Sequence, residues 1–204
     1  MKSKIKGIAV AETLIVLPII LLLGMGVVHL GLVYQAKTNL EYAALMAARI
    51  GATTSIDLQQ MRNEVVLRMR PSAIGTSTAA DNLQNVTIEI LNPDTSAFQD
   101  WGGPPSGGAA CGGGFGGSCE IPNDNLMNRP TNTGGASGLS IQDANILRIK
   151  VTYFYDTRVP FMQAFYLDGR DEDDVPSGVE LVAYSTVRMQ SPARITPSNA
   201  AAFN

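Results

Sequence analysis

The stretch IAVAETLIVLPIILLLGMGVVHLGLVY, residues 8–34, decides how this chain is organised. It holds one carboxylate, one histidine and no lysine or arginine over the length that a helix needs to cross a hydrocarbon core. The preceding MKSKIKG carries Lys2, Lys4 and Lys6, which the positive-inside rule keeps in the cytoplasm. The sequence therefore predicts a transmembrane helix whose amino end lies inside, with everything after Tyr34 outside.

A secretory signal peptide is the competing interpretation of this segment, because it also begins with positive charge and an apolar run. The apolar region of a signal peptide usually spans about 7 to 15 residues and ends at a small-x-small cleavage site. Here the apolar run is longer, and the first alanine-rich stretch comes only at residues 42–48. These features favour a membrane helix that is retained.

Glu12 is the most informative residue of the helix, because an ionised carboxylate near its start is costly unless a partner compensates for the charge. A cut after Gly7 would free the amine of Ile8 about one helical turn away. That amine can pair with Glu12 within one chain or between neighbouring subunits, and the second arrangement sets a register for stacked helices. A carboxylate hydrated at the membrane surface is the alternative.

The first residues of the chain resemble the processing site of type IV prepilins and pseudopilins: a basic leader, Gly7, an apolar residue and Glu12 at the fifth position of a long apolar helix. The stretch GIAVAETLIVLPIILLLG, followed by TNLEYAALMAARIGA, more specifically resembles the TadE-like pseudopilins of the tight-adherence, or Flp, pilus system. Ile50 departs from that pattern. The matching positions are Glu12, Pro18, Ala43, Ala44, Ala47, Ala48, Arg49, Gly51 and Ala52.

This resemblance implies a minor pseudopilin that takes part in assembly or initiation of a Flp-type pilus. It implies a leader, residues 1–7, that a membrane prepilin peptidase removes between Gly7 and Ile8. The implied partners are other pilins, that peptidase, an inner-membrane assembly platform and membrane lipid. The implied location is the bacterial inner membrane, with the head in the periplasm and entry into a surface pilus as a further expectation.

Pro18 should affect the membrane helix, because proline removes the hydrogen bond to the Leu14 carbonyl and crowds the preceding turn. A kink or loosened turn is expected; it can serve extraction from the bilayer or end tight packing. The helix is then predicted to continue over residues 35–52, with small residues at four-residue steps. Such a stripe allows close packing on the head's own sheet or on neighbouring subunits. Its members are Ala43, Ala44, Ala47, Ala48, Gly51 and Ala52.

The remaining residues, 53–204, predict an α+β head with a pilin-like layout. SIDLQQMRNEVVLRMR has helical spacing of apolar residues, with Ser55 as its cap and Pro71 as its stop. Residues 85–91, 146–155 and 179–189 alternate apolar and polar side chains, as strands do. We expect a small antiparallel sheet with one face covered by helix.

A glycine-rich loop is predicted over residues 99–140, and a loop of that length is functional or mobile. Trp101 and Phe115 can anchor a partner or fold back onto the head. Cys111 and Cys119 are separated by GGGFGGS, which lets them meet in a disulfide on the periplasmic side, whereas two free thiols are the alternative.

The acidic run LDGRDEDDVP offers oxygen ligands for calcium at Asp168, Asp171 and Asp173, although its spacing differs from the helix-loop-helix calcium pattern. A solvated acidic turn is the simpler interpretation. His29, the lone histidine, has no metal ligand beside it in sequence and is expected at the lipid headgroups.

Composition argues against several function classes. A net charge of -3 with scattered basic residues gives no footprint for nucleic acid. The chain shows no nucleophile beside a histidine and no implied cofactor, so an enzyme is not expected, and a membrane-anchored hydrolase lacks a site. The main alternative is a single-pass periplasmic binding protein whose uncut helix tethers the head.

Overall fold

The computed structural model describes residues 6–72, 86–105, 118–156, 159 and 178–203. These residues form an α+β fold with a long amino-terminal helix, shorter helices and antiparallel sheets, as the sequence predicts. In chain order the elements are α1 (Lys6–Thr53), α2 (Leu58–Met69), β1 (Val86–Asn92), α3 (Thr95–Trp101), β2 (Cys119–Ile121), a 3-10 turn (Leu126–Asn128), α4 (Ile141–Ala144), β3 (Ile146–Asp156), β4 (Gly178–Arg188), β5 (Ala193–Ile195) and a second 3-10 turn (Ala200–Ala202).

The helix α1 is one continuous element with two contrasting halves. Residues 12–24 are exposed along their whole length although nearly all are apolar. From Ala36 to Ala52, the side facing the rest of the chain is buried, and this part packs against α2, β3 and β4. The carboxyl half of the helix is therefore part of the core of the head, and the amino half projects from it.

The main sheet has the order β1-β3-β4, with both pairs antiparallel. Its buried face follows from strand alternation: Ile88 pairs with Val151, which pairs with Ala183. The opposite face carries polar and charged side chains, including an ion pair between Lys150 and Glu89 at 3.0 Å. One helical layer thus covers one face of the sheet, as the alternation predicts.

The second helix, α2, begins later than the sequence predicts. Asp57, not Ser55, is its N-cap, because the Asp57 carboxylate accepts hydrogen bonds from the backbone N–H groups of Gln59 and Gln60. Ser55 instead lies in the reversal between α1 and α2 with a φ of 55°. The predicted apolar stripe is confirmed as core-facing, since four of its residues are buried: Met61, Val65, Val66 and Met69.

The predicted glycine-rich loop over residues 99–140 is wrong as a continuous loop. Its described parts contain the end of α3, the strand β2 and a 3-10 turn. The strand β2 pairs with β5, so that Cys119 lies opposite Ile195 and Ile121 lies opposite Ala193. These contacts join the middle of the chain to its carboxyl end and build a second, two-stranded sheet.

The reversal between α1 and α2 has an uncommon backbone. Ser55 and Ile56 have φ values of 55° and 64°, and a β-branched residue in that region is strained. The carboxyl-terminal part of the chain holds this turn in place: the Ser191 hydroxyl accepts from the Ser55 N–H at 2.9 Å, and the Asn199 amide donates to the Ile56 carbonyl at 3.2 Å. Ile56 itself is buried.

Candidate functional site

The amino half of α1 carries most of the exposed large apolar side chains in the described part of the chain. Leu14, Leu17 and Ile20 are more than half exposed, where a water-soluble head would bury them. The helix is long and apolar enough to cross a membrane, with a mean hydropathy of 2.5 in its most apolar window, and only 6% of that window is buried. One long apolar helix near the amino end fits a single-pass membrane anchor.

Gly7, Ile8 and Glu12 all lie in the first turns of α1. The Glu12 side chain is exposed, next in sequence to a shallow apolar groove of about 400 Å³ between Val10, Thr13, Leu14 and Leu17. In a hydrocarbon environment an exposed carboxylate at this position needs a positive partner. That partner is either the amino end of the same helix or a group on another molecule, because the next basic residue after Glu12 in the sequence is Lys37.

Pro18 lies inside α1, and the helix continues through it without interruption. Proline cannot donate to the Leu14 carbonyl, so the helix carries one unmade backbone bond in its exposed half. The proline changes local stability without dividing the helix into two elements.

The small residues in the carboxyl half of α1 are buried inside the head. Gly51 shows how tight this packing is: a Cβ atom built there would lie 2.7 Å from the Met61 sulfur and 3.1 Å from a Leu147 methyl group. The stripe therefore lets α1 approach α2 and the sheet of its own chain. The buried members are Ala43, Ala44, Ala47, Ala48, Gly51 and Ala52.

Lys37 is a residue of α1 whose role could not be predicted from the sequence. Its ammonium group donates to the Val182 carbonyl of β4 and lies 3.4 Å from Glu41. Lys37 thus joins the helix to the sheet just beyond the apolar half of α1. Its i,i+4 spacing with Glu41 was visible in the sequence, whereas the distant carbonyl was not.

Some predicted residues can be placed in the structure, and others lie outside the described residues. His29 is only 2% exposed, and its predicted position at the lipid headgroups stays a prediction. Trp101 folds back onto the head and donates its indole N–H to the Leu139 carbonyl at 3.0 Å. Cys119 is buried. Outside the described residues lie Cys111, Phe115, Asp168, Asp171 and Asp173, so the disulfide and the calcium site stay predictions.

Asp100 organises the turn that follows the 3-10 turn at Leu126–Asn128. Its carboxylate accepts hydrogen bonds from the Ser137 hydroxyl and N–H, both at 2.7 Å, and from the Ala136 N–H. These bonds, led by the one from the Ser137 hydroxyl, lower the pKa of Asp100 below its ordinary value. The carboxylate is therefore a clamp that works in its ionised form.

Residues 7–49 match the model of a family described as TadE-like protein. The matched segment begins at Gly7, contains Glu12 and Pro18, and ends at Arg49 within the buried half of α1. Among curated proteins and among solved structures, none matches the chain. The resemblance to TadE-like proteins is confirmed over this segment, and it supports involvement in the tight-adherence pilus system.

Proposed function

We propose that this chain, TadE-like over residues 7–49, is a minor pseudopilin that is cut after Gly7 and then takes part in assembling or initiating a tight-adherence pilus. The observation that supports the proposal is that the family match and the two-part α1 helix cover the same residues. The family match falls on a single helix whose first half exposes apolar side chains and whose second half is built into the head. A subunit of this shape can sit in lipid before assembly and offer the same apolar surface to other helices afterwards.

In this proposal the head lies in the periplasm and the leader lies in the cytoplasm, because Lys2, Lys4 and Lys6 precede the apolar segment. Removal of residues 1–7 leaves a new amine on Ile8. The helix then holds a cation and the Glu12 carboxylate one turn apart in a medium of low dielectric constant. Pairing the amine of one subunit with Glu12 of its neighbour would fix the depth at which their helices stack.

The partners proposed for this surface are other pilins of the same system, with the peptidase and an inner-membrane platform acting before assembly. The role is structural, in keeping with the TadE-like match. Lipid covers the apolar half of α1 until other helices replace it. The head, which contains the rest of the core, stays folded throughout because the buried half of α1 belongs to it.

Replacing Glu12 with alanine tests the proposed contact between subunits. The variant should insert into the membrane, because a charge has been removed from the apolar half of α1, yet it should lose most of its co-purification with the other pilins of its system. Breaking a desolvated ion pair by removing one partner costs about 3–5 kcal/mol, enough to abolish a stable contact. The measurement is the amount of co-purified pilin after extraction in mild detergent.

The matched control is Glu41→Ala in the same helix. Glu41 is 59% exposed and, among the described residues, forms an ion pair with Lys37 at 3.4 Å; such surface pairs contribute little. The Glu41→Ala variant should therefore leave co-purification with the other pilins unchanged. Equal recovery of pilin with the Glu12 variant and with wild type would contradict the proposed role of the carboxylate.

A further inference from the structure

A cleft of about 680 Å³ opens at the end of the head farthest along α1 from Glu12. Its walls are the reversal between α1 and α2, the first turns of α2, the strand β1 and the carboxyl-terminal segment of the chain. Because a helix rises about 1.5 Å per residue, this cleft lies roughly 60 Å from Glu12 along α1. The cleft therefore lies at the pole of the subunit that points away from the proposed membrane anchor.

One wall of the cleft is the edge of a sheet. In the described part of the chain, β1 pairs with β3 on one side only. On its other side, Phe203 forms a single parallel bridge with Ile90, while Thr87, Ile88 and Glu89 line the cleft. The carboxyl-terminal segment thus covers the end of this edge, and no other strand of the described ranges lies beside Thr87, Ile88 and Glu89. An unpaired edge offers backbone N–H and C=O groups to an extended chain.

A guanidinium group lies in the same cleft. Arg62, in the second turn of α2, lines the cleft, and its Nε is buried with no hydrogen-bond partner among the described residues. The other charged lining residues are occupied. Asp57 caps α2, Glu89 pairs with Lys150, and Arg194 pairs with Glu120.

We infer that this cleft binds an extended peptide segment of a partner protein, which adds to the free edge of β1 and pairs a carboxylate with Arg62. A guanidinium fork matches a carboxylate in geometry, and backbone pairing along a sheet edge is a common mode of peptide recognition. A phosphate group fits less well, because its charge of about -1.5 to -2 is repelled more strongly than a single carboxylate by Asp57 and Glu89, which line the same cleft. The inference deepens the proposed function by naming a second contact surface, and it rests on that function only for the direction in which the cleft points.

The test uses the full-length chain in detergent micelles and fluorescence anisotropy with labelled peptides. The probes are a panel of short peptides of alternating valine and polar residues that end in aspartate with a free carboxyl terminus. Two matched forms of each probe isolate the two contacts: one ends in asparagine amide, and one is N-methylated at alternate residues so that it cannot pair along an edge. Galacturonate serves as a competitor to represent acidic saccharides.

The expected result is saturable binding of acidic peptides that falls at least about tenfold in Arg62→Gln, and falls likewise for the amide-ended and N-methylated forms. The control Arg49→Gln removes an exposed guanidinium from α1 and should leave binding unchanged. The proposal is overturned if no acidic peptide binds, if Arg62→Gln binds as wild type does, if the N-methylated forms bind equally well, or if galacturonate displaces the peptides at equal concentration. None of these failures would alter leader removal or recovery with pilins, so they are distinct from a failure of the proposed function.

Discussion

At the scale of single residues, the proposal depends on Gly7, Ile8 and Glu12, whose importance comes from chemistry and not from packing. The first two would be the sides of a cut peptide bond, and the third would be the partner of the amine that the cut exposes. All three can be identified from the sequence, because a carboxylate in an apolar membrane helix costs free energy and is therefore expected to have a function.

Replacing Gly7 with alanine should leave the leader attached, because the peptidase cleft is expected to require the smallest side chain before the cut. The measurement is the intact mass of the chain after co-expression with a prepilin peptidase, which should remain that of residues 1–204. Gly24→Ala is the matched control in the same helix, since a Cβ atom there would meet nothing within 4 Å. Normal trimming of the Gly7 variant would count against cleavage at this bond.

Asp100 gives a prediction about pH. Its pKa is lowered in the folded state, so its ionised form stabilises the fold at pH values above the unfolded pKa, near 3.8, and this contribution is lost as pH falls through the folded pKa. The thermal unfolding midpoint of wild type should therefore exceed that of Asp100→Asn at neutral pH, and the gap should close in strong acid.

The matched control for this measurement is Asp124→Asn, which removes an exposed carboxylate paired with Arg129 at 2.9 Å. Exposed pairs contribute little, so this variant should stay close to wild type at neutral pH. A gap between wild type and Asp100→Asn that is the same at neutral and acid pH would contradict the clamp.

Residue roles set by distant partners could not be predicted. Ser55 has the chemistry of a helix cap, yet the hydroxyl of Ser191 holds its backbone in the turn, and Asp57 caps the helix instead. Both residues are good caps, and only the path of the chain around the reversal decides between them.

At the scale of elements, the long periodic segments were predictable and the short ones were not. The strand β3 spans Ile146–Asp156, and its alternation over many residues identified it within one residue. The strands β2 and β5 have three residues each, too few to show an alternating pattern. They form by pairing with each other, with Cys119 opposite Ile195, although the two strands are far apart in the sequence. Small residues indicate the buried half of α1, but they do not decide whether it packs on its own head or on a neighbouring subunit.

The junction between α3 and β2 offers a sharp test of packing at this scale. A Cβ atom at Gly102 would come closer than 3.0 Å to the Phe98 carbonyl oxygen and to the Cys119 sulfur, whereas one at Gly103 would meet nothing within 4 Å. We expect Gly102→Ala to lower the free energy of unfolding by about 1–3 kcal/mol, as overpacking does.

The measurement is denaturant unfolding in micelles, with Gly103→Ala as the matched control beside it. That variant should be within about 0.5 kcal/mol of wild type, as for a substitution that touches nothing. Equal stability of the two variants would contradict the close packing of α3 against β2 at Gly102.

At the scale of the whole molecule, α1 is shared between two environments. Its amino half is exposed and apolar, its carboxyl half is core, and the family match spans both. This arrangement couples a folded head to a surface that needs either lipid or other helices. The sequence indicates the apolar run, which ends at Tyr34, and the small-residue stripe, which begins at Ala43, but it does not indicate that the stripe packs inside the head. The cleft at the far pole depends on tertiary contacts and has no signal in the sequence.

Leader removal is tested most directly by the amino-terminal residue of the chain isolated from the membranes of cells that hold its own pilus system, read by mass spectrometry of the intact protein. Cleavage after Gly7 predicts a chain that begins at Ile8, with the free amine one turn from Glu12. A chain that still begins at Met1 in the presence of the active peptidase would contradict it, and would leave a head tethered by an uncut helix.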